Sequence, residues 1–369
     1  MMSRLFLFYR SRFLESYADI FNELLGKNSE ILLFFVHLCN SNWNIEDMIE
    51  HKYGMLTYPA IRKNVNVGDF IQSLAAKQFL PQADVLIDRE KLSLYAGNPV
   101  KMIMNGWYMT NPKNWPPSDL IDPLFVSFHI NETVEDSMLS EQSVEYLKKH
   151  EPIGCRDYHT SEILGKAGIK AYFSGCLTLT LGKSYKRRPC SGEIIFVDVL
   201  NEFSKLKDLY KHPRITLEKV RNGLFFDGFF KHSLMRKMFS KSLLKNAVYL
   251  EQTVEMNGED LFDYTDRLLK RLAAAKFVVT SRIHIALPCL AMGVPVIFVN
   301  GGLYLSRDIY RLGGLVDLMN QIHIDRKHNI SANFDVKFPI TEDFVFENRN
   351  SYLKYAESLS ETCEKFLST

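Results

Sequence analysis

The chain has 369 residues and a formal net charge of +2, from 45 basic and 43 acidic side chains, and 46% of its residues are hydrophobic. This length is enough for two α/β domains, and the hydrophobic fraction excludes wholesale disorder. The nearly balanced charge argues against a general nucleic-acid-binding protein, so no nucleic-acid partner is expected.

The first residues give no sign of export or of a membrane span. The apolar run before Arg10 has only five residues, which is too short for a signal peptide, and ILLFFVHL (31–38) is too short to cross a bilayer. Residues 1–45 hold a helix and a strand that belong to neither predicted core. We therefore expect a cytoplasmic protein with an unassigned N-terminal extension.

Short apolar runs alternate with amphipathic helical stretches through the rest of the chain, which is typical of a parallel α/β protein. In the first half the predicted strands are 53–58, 84–88, 101–106, 124–130, 152–155 and 170–174, and the predicted helices are 68–80, 138–149 and 157–168. In the second half the predicted strands are 192–200, 247–252, 276–282 and 294–300, and the predicted helices are 258–274 and 283–292.

A break between the halves is predicted in GKSYKRRPCSG (182–192), where charge, Pro189 and Gly192 interrupt all periodicity. The pattern predicts two Rossmann-like domains that face each other across a cleft, which is a usual place for a ligand. The expected divisions are the extension (1–45), an N-terminal domain (46–188), a C-terminal domain (189–345) and a C-terminal amphipathic helix (346–369).

Several common site types are missing from the sequence. The six cysteines form no CxxC pair and have no metal-ligand spacing, so we expect reduced, mostly buried thiols and no metal. The stretch GCLTLTLGKS (175–184) has six residues between its glycines where a P-loop has four, and no GxGxxG occurs. Neither an ATPase nor a dinucleotide-dependent oxidoreductase is supported.

The most informative segment is KFVVTSRIHIALPCLAMGVPVIFVN (276–300), in which a strand ends at Thr280 and Ser281 and a helix follows. Helix N-termini attract phosphate and carboxylate groups, and Arg282 adds a fork of donors matched to them. His284 is able to exchange a proton near neutral pH. The alternative is a capped helix in which Arg282 and His284 pair with local acids.

A second candidate cluster lies in 151–182, where a short strand ends at Cys155 and delivers Arg156 to a helix N-terminus. Open α/β sheets bind ligands at the carboxyl ends of their strands, so Arg156 is a candidate ligand-binding residue. The alternative is a structural salt bridge between Arg156 and Asp157 or Glu162.

A third candidate cluster contains Asn66 and Gly68, in a turn before a helix that is expected to open at Asp69. An aspartate there is predicted to cap the helix, and the same carboxylate could also bind a substrate. Gln72, one turn further along, is expected to face the same cleft.

The stretch FFKHSLMRKMFSKSLLKN (229–246) has the composition of a basic amphipathic helix, since it combines Lys231, Arg236, Lys237, Lys241 and Lys245 with Phe229, Phe230, Leu234, Met238 and Phe239. Such a helix binds anionic membrane surfaces. The alternative is an ordinary surface helix that packs its apolar side on the domain.

Four blocks of the sequence together resemble the polysaccharide pyruvyl transferase family: NVGDFIQSLAA (66–76), PIGCRD (152–157), FSGCLTLTL (173–181) and TSRIHIALPCLAMGVPVIF (280–298). The resemblance runs from about Lys52 to about Gly314. It implies a two-domain fold like that of GT-B glycosyltransferases, with phosphoenolpyruvate as the donor of a pyruvate ketal that is built on a sugar.

The resemblance also implies roles for individual residues. His284 would be the general acid and Asp69 a second catalytic residue, while the base that takes the hydroxyl protons is left open between Asp69 and His129. The implied donor-binding residues are Arg156, Ser281, Arg282 and Arg307, with Arg311 as an alternative to Arg307. The implied acceptor-binding residues are Asn66, Gly68, Gln72 and His129.

The expected activity is transfer of pyruvate from phosphoenolpyruvate to a sugar in capsule or exopolysaccharide assembly, without metal or cofactor. The expected acceptor is a galactose of a lipid-linked oligosaccharide, so peripheral contact with the inner face of the membrane is also expected. One alternative is a nucleotide-sugar glycosyltransferase, although no glycine-rich loop supports it. The other is a non-catalytic carbohydrate-binding paralogue, against which the joint presence of Arg156, Arg282 and His284 argues.

Overall fold

A computed structural model describes residues 52–58, 65–203, 217, 220–221, 227–256 and 258–369. The helix and strand expected within 1–45 lie outside the described residues. Residues 52–369 form one compact unit. This unit is an α/β structure with two six-stranded, mainly parallel sheets and helices between the strands.

The first half of this unit contains eleven named elements in chain order: β1 (Lys52–Thr57), β2 (Val65–Asn66), α1 (Val67–Lys77), β3 (Val85–Asp88), β4 (Val100–Tyr108), β5 (Ile121–Ile130), α2 (Glu135–Met138), α3 (Glu141–Lys149), β6 (Ile153–Cys155), α4 (Tyr158–Lys166) and β7 (Ala171–Phe173). Its sheet is wholly parallel, in the order β3-β1-β4-β5-β6-β7. All six predicted strands are confirmed, but the predicted helix 138–149 is two helices, because Leu139 and Ser140 interrupt it.

The second half continues with thirteen elements: β8 (Ile194–Val197), α5 (Asp227–Met238), α6 (Lys241–Asn246), β9 (Val248–Leu250), β10 (Thr253–Val254), α7 (Gly258–Leu272), β11 (Phe277–Thr280), α8 (Ile283–Ala291), β12 (Val296–Asn300), α9 (Ser306–Leu312), β13 (Asn320–Ile324), β14 (Ile330–Ala332) and α10 (Leu353–Ser368). The sheet order is β14-β13-β12-β11-β8-β9, and β14 alone is antiparallel to its neighbour. The four predicted strands are confirmed, each shorter than expected.

Short 3-10 helices occupy several connections: Arg89–Leu94, Pro112–Asn114, Glu132–Val134, Leu177–Lys183 and Val316–Leu318. The P-loop look-alike therefore forms a buried 3-10 helix instead of a phosphate-binding loop. Gly182 in it lies so close to α8 that a Cβ there would be 2.2 Å from the Ala291 carbonyl oxygen. The close approach of this backbone to that of α8 explains why residue 182 is a glycine.

Each sheet has a point at which the strand order reverses. In the first sheet, β3 lies on one side of β1 and β4 on the other. In the second sheet, β9 lies on one side of β8 and β11 on the other. Crevices outside the carboxyl ends of strands at such switch points are the usual ligand sites of open α/β sheets.

A two-residue antiparallel ladder joins β2 to β10, with Asn66 opposite Thr253 and Val65 opposite Val254. The backbone N–H of Val67 also donates to the carbonyl of Gln252 at 2.9 Å. This ladder fixes the start of α1 against the segment that follows β9. No sequence pattern predicted it, because two residues show no periodicity.

The stretch 229–246 is not one helix. α5 ends at Met238 and α6 begins after Ser240, whose side chain accepts from the Leu243 N–H at 3.1 Å. Leu234 and Met238 are buried, which confirms the alternative that the apolar side packs on the domain. Phe229 and Phe230 are different, since 65% and 47% of their surfaces are exposed.

α10 packs its buried residues Leu359 and Cys363 into the same core cluster as Met55 and Ile103 of the first sheet. The ammonium group of Lys101, on β4, donates to the Phe366 carbonyl at 3.1 Å. The C-terminal helix therefore packs against the first half of the unit, although the whole second sheet lies between the two in sequence.

The described cysteines are all free thiols, buried except for Cys190. Cys39 lies outside the described residues. None of the helices in the described part of the chain is long and apolar enough to cross a membrane.

Candidate functional site

A cavity of about 450 Å³ lies at the carboxyl ends of strands from both sheets. Its walls come from the start of α1, the ends of β4, β5 and β6, the β11–α8 junction and α9. Eight of the residues singled out in the sequence line it: Asn66, Asp69, His129, Arg156, Ser281, Arg282, His284 and Arg311. The fold therefore brings the three candidate clusters to one place.

Arg156 is a buried cation that has no acidic partner among the described residues. It follows β6, is 3% exposed, and donates from Nη1 to Gln72 Oε1 at 3.2 Å. Among the described residues no carboxylate lies within ion-pair distance of it, and its buried Nε makes no hydrogen bond. The predicted salt bridge to Asp157 or Glu162 is therefore wrong. Burial lowers the pKa of the Arg156 guanidinium, and such an isolated buried charge favours binding of an anion.

His284 lies in the first turn of α8, a helix whose N-cap, Arg282, makes no side-chain cap hydrogen bond. Its Nε2 atom is buried and has no hydrogen-bond partner in the described part of the chain. Burial, followed by the charges of Arg156 and Arg311, lowers the pKa of His284 well below its usual value. The imidazole is therefore neutral at neutral pH while the cavity holds no anion.

Arg282 has two acidic neighbours. Its Nε donates to Asp198 Oδ2 at 2.9 Å and its Nη1 to Glu202 Oε1 at 3.4 Å. Both acids follow β8, at the switch point of the second sheet. The alternative of pairing with local acids is thus confirmed for Arg282 and wrong for His284, so the two residues contribute different charges to the cavity.

His129, near the end of β5, forms a buried pair with Asp157. Nδ1 lies 2.6 Å from Asp157 Oδ2, while Asp157 Oδ1 accepts from the Thr160 N–H at 2.8 Å and so caps α4. Burial and then Arg156 lower the pKa of His129, against the effect of Asp157. Burial alone would raise the pKa of Asp157, but its bonds to His129 and the charge of Arg156 lower it.

These protonation states define the tautomer of His129. An ionised carboxylate accepts hydrogen bonds, so Nδ1 carries the ring proton and donates it to Asp157. Nε2 of the neutral ring then keeps a lone pair, and His129 lines the cavity. This arrangement is suited to accepting a proton from a bound hydroxyl.

The helix cap of α1 is Asn66, whose side-chain oxygen accepts from the Gly68 N–H at 3.1 Å. The prediction that Asp69 caps the helix is therefore wrong, because the helix begins at Val67. Asp69 instead presents its carboxylate to the cavity, with Oδ1 3.9 Å from Arg89 Nη1 and 3.4 Å from Gln72 Nε2.

Two residues expected to contact an acceptor stand behind the cavity wall. Gln72 is buried and joins Arg156 to Asp69, so the expectation that it faces the cleft is wrong. Gly68 also lies outside the lining, and a Cβ there would be 3.1 Å from the His284 Cβ and 2.7 Å from Gln252 Nε2. Both residues position the groups that do line the cavity.

The hydroxyl of Ser281 is already bonded to the fold, since it donates to the Val299 carbonyl at 2.6 Å and accepts from the Leu200 N–H at 3.0 Å. The side chain of Arg307 lies outside the described residues, so its role stays a prediction. Arg311 lines the cavity and pairs with Asp308 at 3.2 Å.

Sequence reasoning missed several residues of the cavity: Arg89, Trp107, Asn131, Glu132, His159, Gln252 and Tyr310. His159 and Tyr310 stack with ring centroids 3.8 Å apart and join α4 to α9. These residues come from separate parts of the chain, so no local motif marks them: Arg89 follows β3, Trp107 lies on β4, Asn131 and Glu132 follow β5, His159 lies on α4, Gln252 follows β9 and Tyr310 lies on α9. Their common feature is position at the carboxyl end of a strand, which depends on the topology of the sheets.

The described residues contain no group of three or more side chains that could hold a metal ion. Whether the chemistry uses a metal or a cofactor is not decided by this, so that expectation stays a prediction.

Fold and site define a Rossmann-like α/β protein with a cavity adapted to a small anion and to proton transfer. The model of one protein family, polysaccharide pyruvyl transferase, matches residues 66–302. The chain belongs to this family, and the resemblance seen in the sequence is confirmed. It is accordingly a transferase of polysaccharide biosynthesis. Comparison with curated proteins gave no match.

Proposed function

We propose that this protein transfers pyruvate from phosphoenolpyruvate to two hydroxyls of a sugar, as a ketal. The observation that carries the proposal is the pairing, in one cavity, of Arg156 without a carboxylate partner and His284 with a buried Nε2 that makes no hydrogen bond in the described structure. Phosphoenolpyruvate supplies what each residue lacks: an anion for the guanidinium and a reacting atom for the imidazole.

The donor has a carboxylate and a phosphate, and the cavity has two kinds of group for them. Arg156 offers a forked cation, and α8 offers an N-terminus without a side-chain cap. Arg282 adds to the positive potential, although Asp198 and Glu202 offset its charge. The anion would raise the pKa of His284 by cancelling the nearby positive charges, and so protonate it.

In the proposed reaction the His284 imidazolium protonates C3 of phosphoenolpyruvate, and the positive charge develops on C2. One sugar hydroxyl bonds to C2 and gives its proton to His129. The C2–O bond to phosphate then breaks, and phosphate leaves with the electron pair and the proton held by His129. A second hydroxyl bonds to C2 and returns a proton to His284. One donor and one diol thus give one ketal and one phosphate.

Of the two residues left open as the base, His129 has the better support. Its Nδ1 is held by Asp157, so Nε2 is the basic atom of a residue that lines the cavity. Asp69 is instead engaged with Arg89 and Gln72, which suits binding of a hydroxyl rather than removal of its proton.

The finer context is part of the same proposal. The two sheets would belong to two domains that face each other across the cavity as in GT-B glycosyltransferases, with no metal or cofactor required. The acceptor would be a galactose of a lipid-linked oligosaccharide in capsule or exopolysaccharide assembly, at the cytoplasmic face of the membrane. The position of the cavity at the switch points of both sheets supports the proposal that two domains face each other across it.

The test measures donor binding and turnover separately. We expect phosphoenolpyruvate to raise the melting temperature, because it binds the folded state, and UDP-galactose to have no effect. With a panel of galactosides, we expect phosphate release and a product heavier by one pyruvate ketal. Selective stabilisation by the nucleotide sugar would replace this proposal with a glycosyltransferase.

Two variants test the separate roles of His284 and Arg156. His284→Gln should lower turnover by about two to four orders of magnitude, as loss of a positioned acid does, and should keep most of the donor affinity. Arg156→Lys should weaken donor binding by about tenfold or more, since a charge-assisted contact contributes roughly 1.5–3 kcal/mol. Near-normal turnover in His284→Gln would remove this residue from the chemistry.

A further inference from the structure

Arg89 is a cavity residue that no motif assigns. It follows β3 directly, is 6% exposed, and lines the cavity together with Asp69 and Trp107. Its guanidinium carbon lies 4.8 Å from the ring centroid of Tyr58 and 4.9 Å from that of Trp107. Tyr58 follows β1 and Trp107 lies near the end of β4, and these two strands are neighbours at the switch point of the first sheet. The fold therefore holds the guanidinium at the place where such sheets bind ligands.

The other contacts of Arg89 make it rigid and leave one nitrogen without a hydrogen bond. Nε and Nη2 each lie 2.9 Å from Glu90 Oε1. Glu90 is itself held, because its Oε2 accepts from the backbone N–H groups of Thr110 at 2.9 Å and Asn111 at 2.7 Å. Nη1 is buried and makes no hydrogen bond within the described part of the chain. A buried donor without a hydrogen bond lowers the stability of a protein.

The charge around Nη1 identifies the kind of ligand. Asp69 Oδ1 lies 3.9 Å away, too far for a hydrogen bond, and Glu90 neutralises the other side of the guanidinium. Two carboxylates beside one cation repel an anion, in contrast to Arg156, which has no carboxylate within ion-pair distance among the described residues. A neutral hydroxyl fits between Nη1 and Asp69, because it accepts from the guanidinium and donates to the carboxylate.

We propose that Arg89 and Asp69 together bind a hydroxyl of the acceptor sugar, and that this wall of the cavity is the acceptor subsite. The inference rests on the proposed pyruvyl transfer. Donor and acceptor are then separated by charge: the anion binds at Arg156, and the uncharged sugar binds at the compensated pair. Asn131 and Glu132, which line the same cavity, supply further polar groups suited to sugar hydroxyls. The subsite selects a neutral sugar ring over a uronic acid at this position.

The test compares Arg89→Lys with the parent enzyme, since lysine keeps the charge but loses the second nitrogen held by Glu90 and the position of Nη1. A panel of p-nitrophenyl hexopyranosides serves as acceptor probe, and phosphate release from phosphoenolpyruvate is the assay. For the active glycoside we expect the KM to rise about 10- to 100-fold, as loss of a charge-assisted hydrogen bond predicts. The dissociation constant of phosphoenolpyruvate, from calorimetry, should stay within about twofold of the parent value.

Arg271→Lys is the matched control, because Glu193 also holds that guanidinium through two nitrogens but Arg271 lies outside the cavity lining. It should leave both constants unchanged. A fall in donor affinity for Arg89→Lys with an unchanged acceptor KM would move Arg89 to the donor site and overturn the inference alone. An unchanged acceptor KM with unchanged donor affinity would also overturn it.

A second measurement separates this inference from the proposed function. Ligand-observed NMR with the active glycoside, in the absence of phosphoenolpyruvate, should show binding to the parent and weaker binding to Arg89→Lys. If every glycoside fails to release phosphate in the parent enzyme, the proposed function is overturned and the inference with it. If parent turnover is normal but both proteins bind the glycoside equally, only the inference is overturned.

Discussion

At the scale of single residues, the feature with the most direct chemical consequence is the depressed pKa of His284. Burial and the charges of Arg156 and Arg311 keep the imidazole neutral in the free protein. An acid catalyst in this position has to acquire its proton when the anionic donor arrives. Binding of the donor and uptake of a proton are then one linked event.

This linkage predicts that phosphoenolpyruvate binding takes up about one proton and weakens as the pH rises through the pKa of His284 in the complex. The sign follows because the complex binds more protons than the free protein. Calorimetry at pH 8, above the second phosphate pKa of about 6, in buffers of different ionisation enthalpy would measure the uptake. His284→Gln should bind the donor without it. Equal enthalpies in all buffers for the parent would contradict the prediction.

The residues found from sequence are those whose role is set by local structure. Arg156 and His284 each lie at a junction between a strand and the helix that follows it, an arrangement that one stretch of sequence reveals. Arg89 and Trp107 could not be found in this way, because their place in the cavity depends on the order of β3, β1 and β4 in the sheet. The sequence also could not show that Arg156 has no acidic partner among the described residues, since Asp157 is adjacent in sequence but pairs with His129.

At the scale of elements, the contact of α1 with α8 determines where His284 sits. Gly68 lies in the first turn of α1, and a Cβ there would be 3.1 Å from the His284 Cβ and 2.7 Å from Gln252 Nε2. The Gln252 amide can turn away from an added methyl group, but the His284 Cβ is closer than in an ordinary van der Waals contact, so a Cβ at residue 68 pushes His284 by a few tenths of an ångström. The ladder between β2 and β10 pairs Asn66 with Thr253 and so fixes the position at which α1 begins.

Gly68→Ala should therefore lower turnover by about tenfold or more, since small misplacement of catalytic groups is costly, while the chain still folds. The expected loss of stability is about 1–3 kcal/mol, typical of overpacking. Steady-state kinetics and urea unfolding measure the two effects.

Gly165→Ala is the matched control. Gly165 lies within α4, and a Cβ added there would have no other atom within 4 Å, so alanine adds no clash. Its effect should be an unchanged turnover and a stability gain of about 0.5–1 kcal/mol, because glycine is unfavourable inside a helix. Equal turnover for both alanine variants would show that the α1–α8 contact does not position His284.

Elements were predicted well from sequence where apolar runs are long and poorly where they are short. β4 and β5 are buried almost throughout, and most of their residues are apolar. β13, β14 and the β2–β10 ladder were missed. Their pairing comes from tertiary contact, and two to five residues of mixed character show no period that could reveal them.

At the scale of the whole molecule, three consecutive elements carry exposed aromatic and basic side chains: Phe229, Phe230, Arg236 and Lys237 on α5, Lys241 on α6 and Tyr249 on β9. On α5 the aromatic residues stand about two helical turns before the basic residues, so they share one face of the helix. Cationic charge and aromatic rings together suit an anionic membrane surface. A lipid-linked acceptor would be presented at such a surface.

We predict weak, salt-sensitive binding to vesicles that contain anionic lipid, because exposed charges are screened within about 10 Å at 0.1 M salt. Changing Arg236, Lys237 and Lys241 to glutamate should abolish sedimentation with the vesicles at low salt. Turnover with a water-soluble galactoside should be unaffected, since none of the three lines the cavity.

The control changes Lys148, Lys149 and Lys166 to glutamate, on exposed parts of α3 and α4. It alters the net charge of the protein by the same amount at a different place. Loss of vesicle binding in both triple variants would mean that total charge matters and that the surface on α5 does not.

The packing of α10 on the first sheet has a consequence for how the protein is made. The carbonyl of Phe366 meets the side chain of Lys101, which precedes it by 265 residues. At roughly 5–20 residues per second, a ribosome needs about 13–53 s to cover that distance. Throughout this time β4 and its neighbours lack the helix that completes their core, so the first sheet reaches its final packing only after α10 has been made. A substitution that disrupts α10 would therefore damage the packing of a sheet synthesised long before it.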